Sequence, residues 1–245
     1  MSSSRLPGKT LLEAVGKPML GLMIERLKDV DNISNIIVAT TVNKLDDKIE
    51  RLAGRENVLC YRGSESDVLG RVLESASTFG TDIIVEITGD NPLSDPVLIS
   101  NMVDKFLKLS NDIDFLSNDI GCYNDNIPVS FPLGLNVKIF KKSLLEEVAR
   151  KTNNPVDREH VVNYILKNME QYKVYNYTAN GIYCRPELRF TMDYEEDYIL
   201  IKKVFEGLYN KNSKFTTSDI IHFLDLNPSI KALNSDCIQN KYAYK

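Results

Sequence analysis

The chain carries only two histidines, His160 and His222, in 245 residues. A nucleophile–histidine–acid triad, or a two-histidine metal site, must draw on that pair, which argues against hydrolase chemistry of those kinds. Cysteine is also sparse. Cys60, Cys122, Cys184 and Cys237 lie far apart and form no CxxC pair, so neither a zinc site nor a dithiol redox motif is suggested. Such scattered thiols are expected to be reduced and packed, in a cytoplasmic protein. No Lys/Arg-rich block occurs, and the formal net charge is −4 with a pI near 5.4. Nucleic acid is therefore not expected as a partner, because a phosphate backbone demands a basic face. No apolar run approaches the roughly 20 residues that cross a bilayer, and MSSSRLPGKT does not have the form of a signal peptide. No membrane association is expected. Internal repeats and low-complexity tracts are absent too.

What remains is the composition of a folded domain, 43% apolar and 26% charged. A chain of this length can bury roughly 70–75% of its unfolded surface, and a single domain over 1–245 is the natural reading. The hydrophobic period alternates. Helical spacing over 18–30, 43–54, 64–79 and 95–109 is interleaved with β-branched runs at 35–41, 57–61 and 81–88. Ser64, with Asp67 three residues later, is expected to open the third helix. This order predicts an α/β fold, a mostly parallel sheet with helices on both faces. The second half is less regular. Segment 112–132 is polar and reads as a loop or excursion, 134–140 as a strand, and 141–151 and 155–167 as helices. Strands are expected at 172–177 and 187–191 and a long helix at 194–209.

Three sets of residues suit a chemistry. In SSSRLPGKT, small residues allow tight turns and Arg5 and Lys9 put two cations in one loop, a combination that suits a polyphosphate. Gly8-Lys9-Thr10 imitates the end of a P-loop, but the motif needs glycine where Ser3 stands. A plain N-terminal arm is the simpler alternative. Asp90 in TGDNP follows a buried strand, in the crevice where such sheets bind ligands. Asp193 follows the strand-like LRFTM. One or two carboxylates together with phosphate oxygens suit Mg²⁺. The competing readings are a turn residue for Asp90 and a helix N-cap for Asp193. Arg158-Glu159-His160 lies on an amphipathic helix, and Arg62 and Arg71 flank another. Solvated or hydrogen-bonded surface roles compete there.

Together these segments resemble a family. SSRLPGKTLLEAVGKPML is similar to the N-terminal signature of cytidylyltransferases that activate acidic sugars, among them the 3-deoxy-manno-octulosonate enzyme and the spore-coat polysaccharide cytidylyltransferase-like proteins. IIVATTVNKLDDKI, YRGSESDVLGRV, TGDNPLSDPVLI, DREHVVNYI and LRFTMDYEEDYILI match the spore-coat-like group in the same order. The resemblance implies a nucleotide-diphospho-sugar transferase type of Rossmann-like sheet and transfer of CMP from CTP to a sugar or sugar-acid hydroxyl, for surface glycan synthesis, with pyrophosphate released. It implies that Ser3, Ser4, Arg5, Gly8 and Lys9 hold the phosphates and that Asp90 and Asp193 hold Mg²⁺. Arg62, Ser64 and Arg71 would lie near the cytosine. Asn136, Arg158, Glu159, His160 and Arg189 would line the sugar side. It also implies a homodimer, paired through excursions near 112–132 and 171–187.

Two departures stand out. The family's first strand, which precedes the phosphate loop, is missing, so the expectation is a protein that starts upstream, with the present chain poorly soluble or weakly active. In FPLGLNVKIF, Asn136 and Lys138 replace two acids of the group's pattern, which implies a changed charge at the acceptor site. Alternative readings are a catalytically silent relative that binds a nucleotide or a partner protein, and a nucleotidyltransferase that uses another NTP.

Overall fold

The structure is a computed structural model and describes residues 5–124 and 126–237. A short hairpin, β1 (Glu13–Ala14) and β2 (Lys17–Pro18), leads into α1 (Met19–Leu27). Then follow β3 (Ile37–Thr41), α2 (Asp47–Arg55), β4 (Leu59–Gly63), α3 (Val68–Thr78), β5 (Ile83–Glu86) and α4 (Pro96–Leu109). The second half holds β6 (Phe115–Ser117), β7 (Lys138–Lys141), α5 (Lys142–Lys151), α6 (Pro155–Glu159), α7 (Asn163–Lys167), β8 (Val174–Asn176), α8 (Glu195–Leu208), α9 (Thr217–Leu226) and α10 (Pro228–Lys231). The α/β class expected from the alternating period is what the chain adopts.

The strands form two layers of pairing. β3 and β4 are parallel, while a four-stranded sheet runs in the order β5-β7-β6-β8. Within it β6 and β8 are parallel and β7 is antiparallel to both its neighbours. Side-chain alternation gives that sheet two apolar faces. Val85, Leu116 and Ile139 pack on α4, α8 and α9. Ile84, Phe115 and Phe140 pack on α3, α5 and α7. Val38 of β3 and Ile87 beyond β5 meet the same face of α1, through Leu20, Met23 and Ile24. Among the described residues no strand pairs β3 with β5. The backbone at Leu59 N–H donates to Ile36 and Val42 N–H to Gly63, so alternation turns Ile37 and Ala39 to the other edge. Likewise Asp82 accepts from Lys142 of the β7 side, leaving Ile83 and Val85 facing away from β7. These two edges are where a first strand was expected to be missing.

Several local expectations are corrected. Segment 112–132 is not wholly a loop. Phe115, Leu116 and Ser117 are buried on both faces, as an interior strand, yet three residues between polar neighbours carry no legible period. Helix 155–167 is broken at His160, whose backbone is non-helical. The buried Asp157 fixes the break, accepting from Thr152 Oγ1 at 2.7 Å and Asn163 Nδ2 at 2.5 Å. Segment 187–191 forms only an isolated bridge, Leu133 to Arg189. The N-cap of α3 is Asp67, which accepts from Gly70 N–H at 2.8 Å; Ser64 instead accepts from Asp67 N–H.

Candidate active site

β5 delivers the chain through Ile87, Thr88 and Gly89 to Asp90. Asn91 N–H donates to Thr88 O at 3.2 Å and Asn91 Nδ2 to Thr88 Oγ1 at 3.0 Å, closing that turn. Met192 N–H donates to Asp90 O at 2.9 Å, which brings the segment before α8 alongside. Asp193 follows directly. It does not cap α8; Tyr194 occupies that position. The buried Asp197 does the anchoring, accepting from the N–H groups of Asp193 and Tyr194 at 3.0 Å each and from Arg189 Nε at 2.8 Å. Asn234 Nδ2 adds a further bond to Asp197 at 2.8 Å.

The N-terminal loop closes over both carboxylates. Gly8 sits at φ 68°, a left-handed conformation that glycine takes without a Cβ clash, and a tight turn carries Lys9 inward. Lys9 Nζ is 2.7 Å from Asp90 Oδ2 and 3.0 Å from Asp193 Oδ1. Arg5 Nη2 lies 3.2 Å from Asp193 Oδ1, and Arg189 Nη2 lies 3.1 Å from Asp193 Oδ2. Arg5 and Arg189 both approach the Tyr194 ring, at 5.1 and 5.6 Å from its centre. Burial alone would lower the Lys9 ammonium, but the two carboxylates outweigh it and its pKa rises. Burial works against a charged Asp193, yet Lys9, Arg5 and Arg189 hold it below the usual carboxylate range.

Arg5 and Lys9, Asp90, and Arg189 and Asp193, three separate parts of the sequence, thus meet at one place, with Gly8 shaping the loop. Arg189 joins the carboxylate pair rather than the other residues expected on the sugar side. Ser3 and Ser4 lie outside the described residues. A second group surrounds the α3 N-terminus. Arg62 is engaged by Asp47 and Glu50, both at 2.7 Å, and by the carbonyls of Thr41 and Asn43, so it braces the turn from β3 into α2. Arg71 donates to the Ser64 carbonyl, while its buried Nε has no partner among the described residues. Arg158 reaches across to Asp67, joining this loop to α6.

Asn136 and His160 belong to a third group. Asn136 Nδ2 donates to Asp119 Oδ2 at 3.1 Å, and Lys138 Nζ is 3.8 Å from the same oxygen. Burial lowers the His160 imidazole, with Glu159 opposing and Lys138 and Lys167 adding to the fall. Glu159 is exposed. Sequence reasoning missed Asp197, Tyr194, Asp119 and Glu86. A charged residue inside TDIIVEIT was the available signal for Glu86, and an acid in the first turn of a helix the signal for Asp197.

Asp90 and Asp193 fit a divalent cation. Both already present an oxygen to one ammonium, a cation in the place a metal would take. Among the described residues no set of three or more His, Cys, Asp and Glu side chains gathers as a metal cage. The remaining ligands would then be phosphate oxygens and water, an arrangement that suits Mg²⁺. No helix among the described residues is long and apolar enough to cross a membrane.

Comparison with known proteins follows the same line. The family profile described as Cytidylyltransferase matches residues 1–220. A cytidylyltransferase structure from Leptospira borgpetersenii is 37% identical, covers 94% of this chain and 92% of its own, and superposes with a TM-score of 0.87. The spore coat polysaccharide biosynthesis protein SpsF of Bacillus subtilis is 28% identical over 93% of this chain and 92% of its own. The structure of a CMP:2-keto-3-deoxy-manno-octonic acid synthetase complexed with CTP shares the fold, with a TM-score of 0.60 at 16% identity, over 84% of this chain and 94% of its own.

Proposed function

The chain belongs to the cytidylyltransferase family, and from that premise we propose that it transfers CMP from CTP to a hydroxyl of a sugar or sugar acid, releasing pyrophosphate, in surface polysaccharide synthesis. The observation that carries this reading is Lys9 held between Asp90 and Asp193, with Arg5 beside them. The acceptor oxygen bonds to the α-phosphorus as the bond to the β-phosphate bridging oxygen breaks. Such transfers ask the protein mainly to position groups and to oppose charge. Arg5 and Lys9 would neutralise the departing pyrophosphate. Asp90 and Asp193 would hold Mg²⁺, which when bound neutralises phosphate charge. Asp197 keeps Asp193 and Arg189 in register.

The loop of Arg62, Ser64 and Arg71 is assigned to the cytosine. The unpartnered Nε of Arg71 supports this, because a buried donor without a partner costs about 1–3 kcal/mol. The sugar side is assigned to Asn136, Arg158, Glu159 and His160. A homodimer fits the two excursions, which lie against each other through Ala179 N–H to Ser130 Oγ at 3.0 Å and leave Ile182 and Val129 exposed. Light scattering should give a mass near twice 27.8 kDa. The test of the activity is pyrophosphate release with each NTP against acidic and neutral sugars, together with calorimetric titration. CTP should bind well ahead of UTP, and equal binding of the two would overturn the base assignment.

A further inference from the structure

The last helices of the chain reach the carboxylate pair from behind, at two points. The first is the start of α9, where Thr217 N–H donates to Asp95 Oδ2 at 2.7 Å. The other oxygen of Asp95 accepts from Val97 and Leu98 N–H at 2.8 and 3.2 Å. Asp95 thus fixes the start of α4 and, with it, the turn that leads there from Asp90. The second point is Asn234, in the 3-10 turn Ala232–Asn234 that follows α10. Its Nδ2 donates to Asp197 Oδ1 at 2.8 Å and to the Arg189 carbonyl at 3.0 Å. Both partners accept, so the two N–H bonds of one amide are used and the side chain fits only one way round.

Those two partners are the residues that hold Asp193. Asp197 accepts from Asp193 N–H at 3.0 Å, and Arg189 Nη2 lies 3.1 Å from Asp193 Oδ2. Asp197 is fully buried and Asn234 is 5% exposed, and a carboxylate taken out of water depends on the donors it meets. The donors from Arg189, Asp193 and Tyr194 belong to the same short stretch of chain as Asp197, whereas Asn234 comes from 37 residues away. Apolar packing is incomplete at this junction. An open cavity of about 460 Å³ is lined by segment 187–190 together with Leu224, Pro228, Ala232 and Asn234. Side chains that face a void lose contacts on that side, so the Asn234 bonds are what locate Arg189 and Asp197 against the end of the chain.

We propose that the C-terminal segment 217–234 is part of the catalytic apparatus and that Asn234 is a positioning residue, holding Asp193 in the orientation from which it meets Mg²⁺ by way of Asp197 and Arg189. This rests on the cytidylyltransferase reading above and extends it to a residue outside the stretch 1–220 that the family profile matches.

The experiment compares wild type with Asn234→Leu, Asn234→Gln and Ile221→Val, the last a packing change at a buried position of α9. One readout is the apparent KM for MgCl2 in CTP-dependent pyrophosphate release. The other needs no turnover: the MgCl2 concentration that gives half the rise in Tm with CTP present and no acceptor. Asn234→Leu should raise both values about tenfold, the effect of one hydrogen bond to a charged group. Its kcat at saturating MgCl2, and its affinity for CTP without magnesium, should change little. Asn234→Gln keeps the amide and has the cavity beside it to take one more methylene, so it should recover most of the loss. Ile221→Val should lower the Tm and leave both MgCl2 values in place. Should Asn234→Leu fail to fold, Asn234→Ala carries the same test. A lower Tm with both MgCl2 values unmoved overturns the inference while leaving the activity standing, and so does an equal shift in Ile221→Val. A wild type that does not bind CTP overturns the activity itself, and the inference with it.

Discussion

Replacing Lys9 by methionine keeps most of the side-chain volume and removes one charge. Its ammonium lies 2.7 Å from Asp90 and 3.0 Å from Asp193, so the variant leaves two carboxylates facing each other. At a separation of roughly 5 Å and an effective dielectric of about 20, their repulsion is about 3 kcal/mol. Arg5 and Arg189 stay on Asp193 and offset part of this, leaving a loss of about 2 kcal/mol. For a domain of this size that corresponds to a Tm lower by about 4–8 °C. Magnesium should then act differently on the two proteins. In the wild type the ion must displace an ammonium, whereas in Lys9→Met it enters a pair of unopposed carboxylates. Ligand binding to the native state raises stability by mass action, so millimolar MgCl2 should raise the Tm of Lys9→Met more than that of the wild type. Turnover should nonetheless fall by about 100-fold or more, since a positioned charge on the leaving group is lost. The assay is a thermal melt with and without MgCl2, read beside pyrophosphate release. An unchanged Tm without magnesium, or an equal magnesium response in both proteins, would refute the idea that Lys9 occupies the cation position.

Asp90→Asn and Asp193→Asn should each abolish pyrophosphate release while near- and far-ultraviolet circular dichroism stay native. Asp193→Asn should melt lower than Asp90→Asn, because it weakens ion pairs to Arg5, Lys9 and Arg189 together, whereas Asp90 pairs with Lys9. Asp46 accepts from Thr40 Oγ1, Thr41 Oγ1 and Thr41 N–H, and these bonds outweigh burial to bring its pKa from 3.8 to about 2. A lowered carboxyl pKa stabilises the fold above the unfolded value and ceases to do so as pH falls through the folded one. Urea denaturation should therefore show Asp46→Asn less stable by about 2 kcal/mol at neutral pH, with the gap closing between pH 4 and pH 2.

The parts of the site that were legible in the sequence are those that depend on strand ends. Asp90 follows a true strand, so its place at a strand end was legible from the period, whereas Asp193 follows a segment that forms only an isolated bridge, and its meeting with Asp90 was implied by the family resemblance. Lys9 and Arg5 were legible as paired cations in a loop of small residues. What the sequence hid was competition for partners. Arg62 ahead of α3 and Arg71 on it look alike, but Asp47 and Glu50 on the preceding helix α2 claim only Arg62. Arg158 faces Asp67, a distant residue that no spacing rule links to it. β6 was hidden because three residues buried on both faces show no alternation. Glu86 was hidden because a single acid in a β-branched run reads as an exposed strand position until β7 is laid against it in register.

The unpaired edges of β3 and β5 allow a direct test of what holds the two parts of the sheet together. Ile37 and Ala39 on one side, and Ile83 and Val85 on the other, turn main-chain groups away from the strands they pair with among the described residues. Val38 and Ile87 already share the α1 face, so the apolar floor between them is in place. Arg5 is fixed to Asp193, near the end of β5, where a strand running parallel to β5 would finish. A β-branched run of about 5–6 residues, a usual strand length, joined ahead of Ser2 should therefore enter between β3 and β5. Each ladder bond contributes about 1 kcal/mol net and each fully buried valine or isoleucine about 1.5–3 kcal/mol, against an ordering cost of about 1–2 kcal/mol per residue. The balance favours insertion, because the burial terms are as large as the ordering cost and the bonds to two edges come in addition. The extended polypeptide should melt several degrees higher, and the amides of Ile37, Ala39, Ile83 and Val85 should exchange more slowly with deuterium. A glycine–serine run of the same length is the control, since it can satisfy the edges but bury nothing. Equal melting of the β-branched and glycine–serine versions, with no added protection at those four amides, would show that the two edges do not form a strand site.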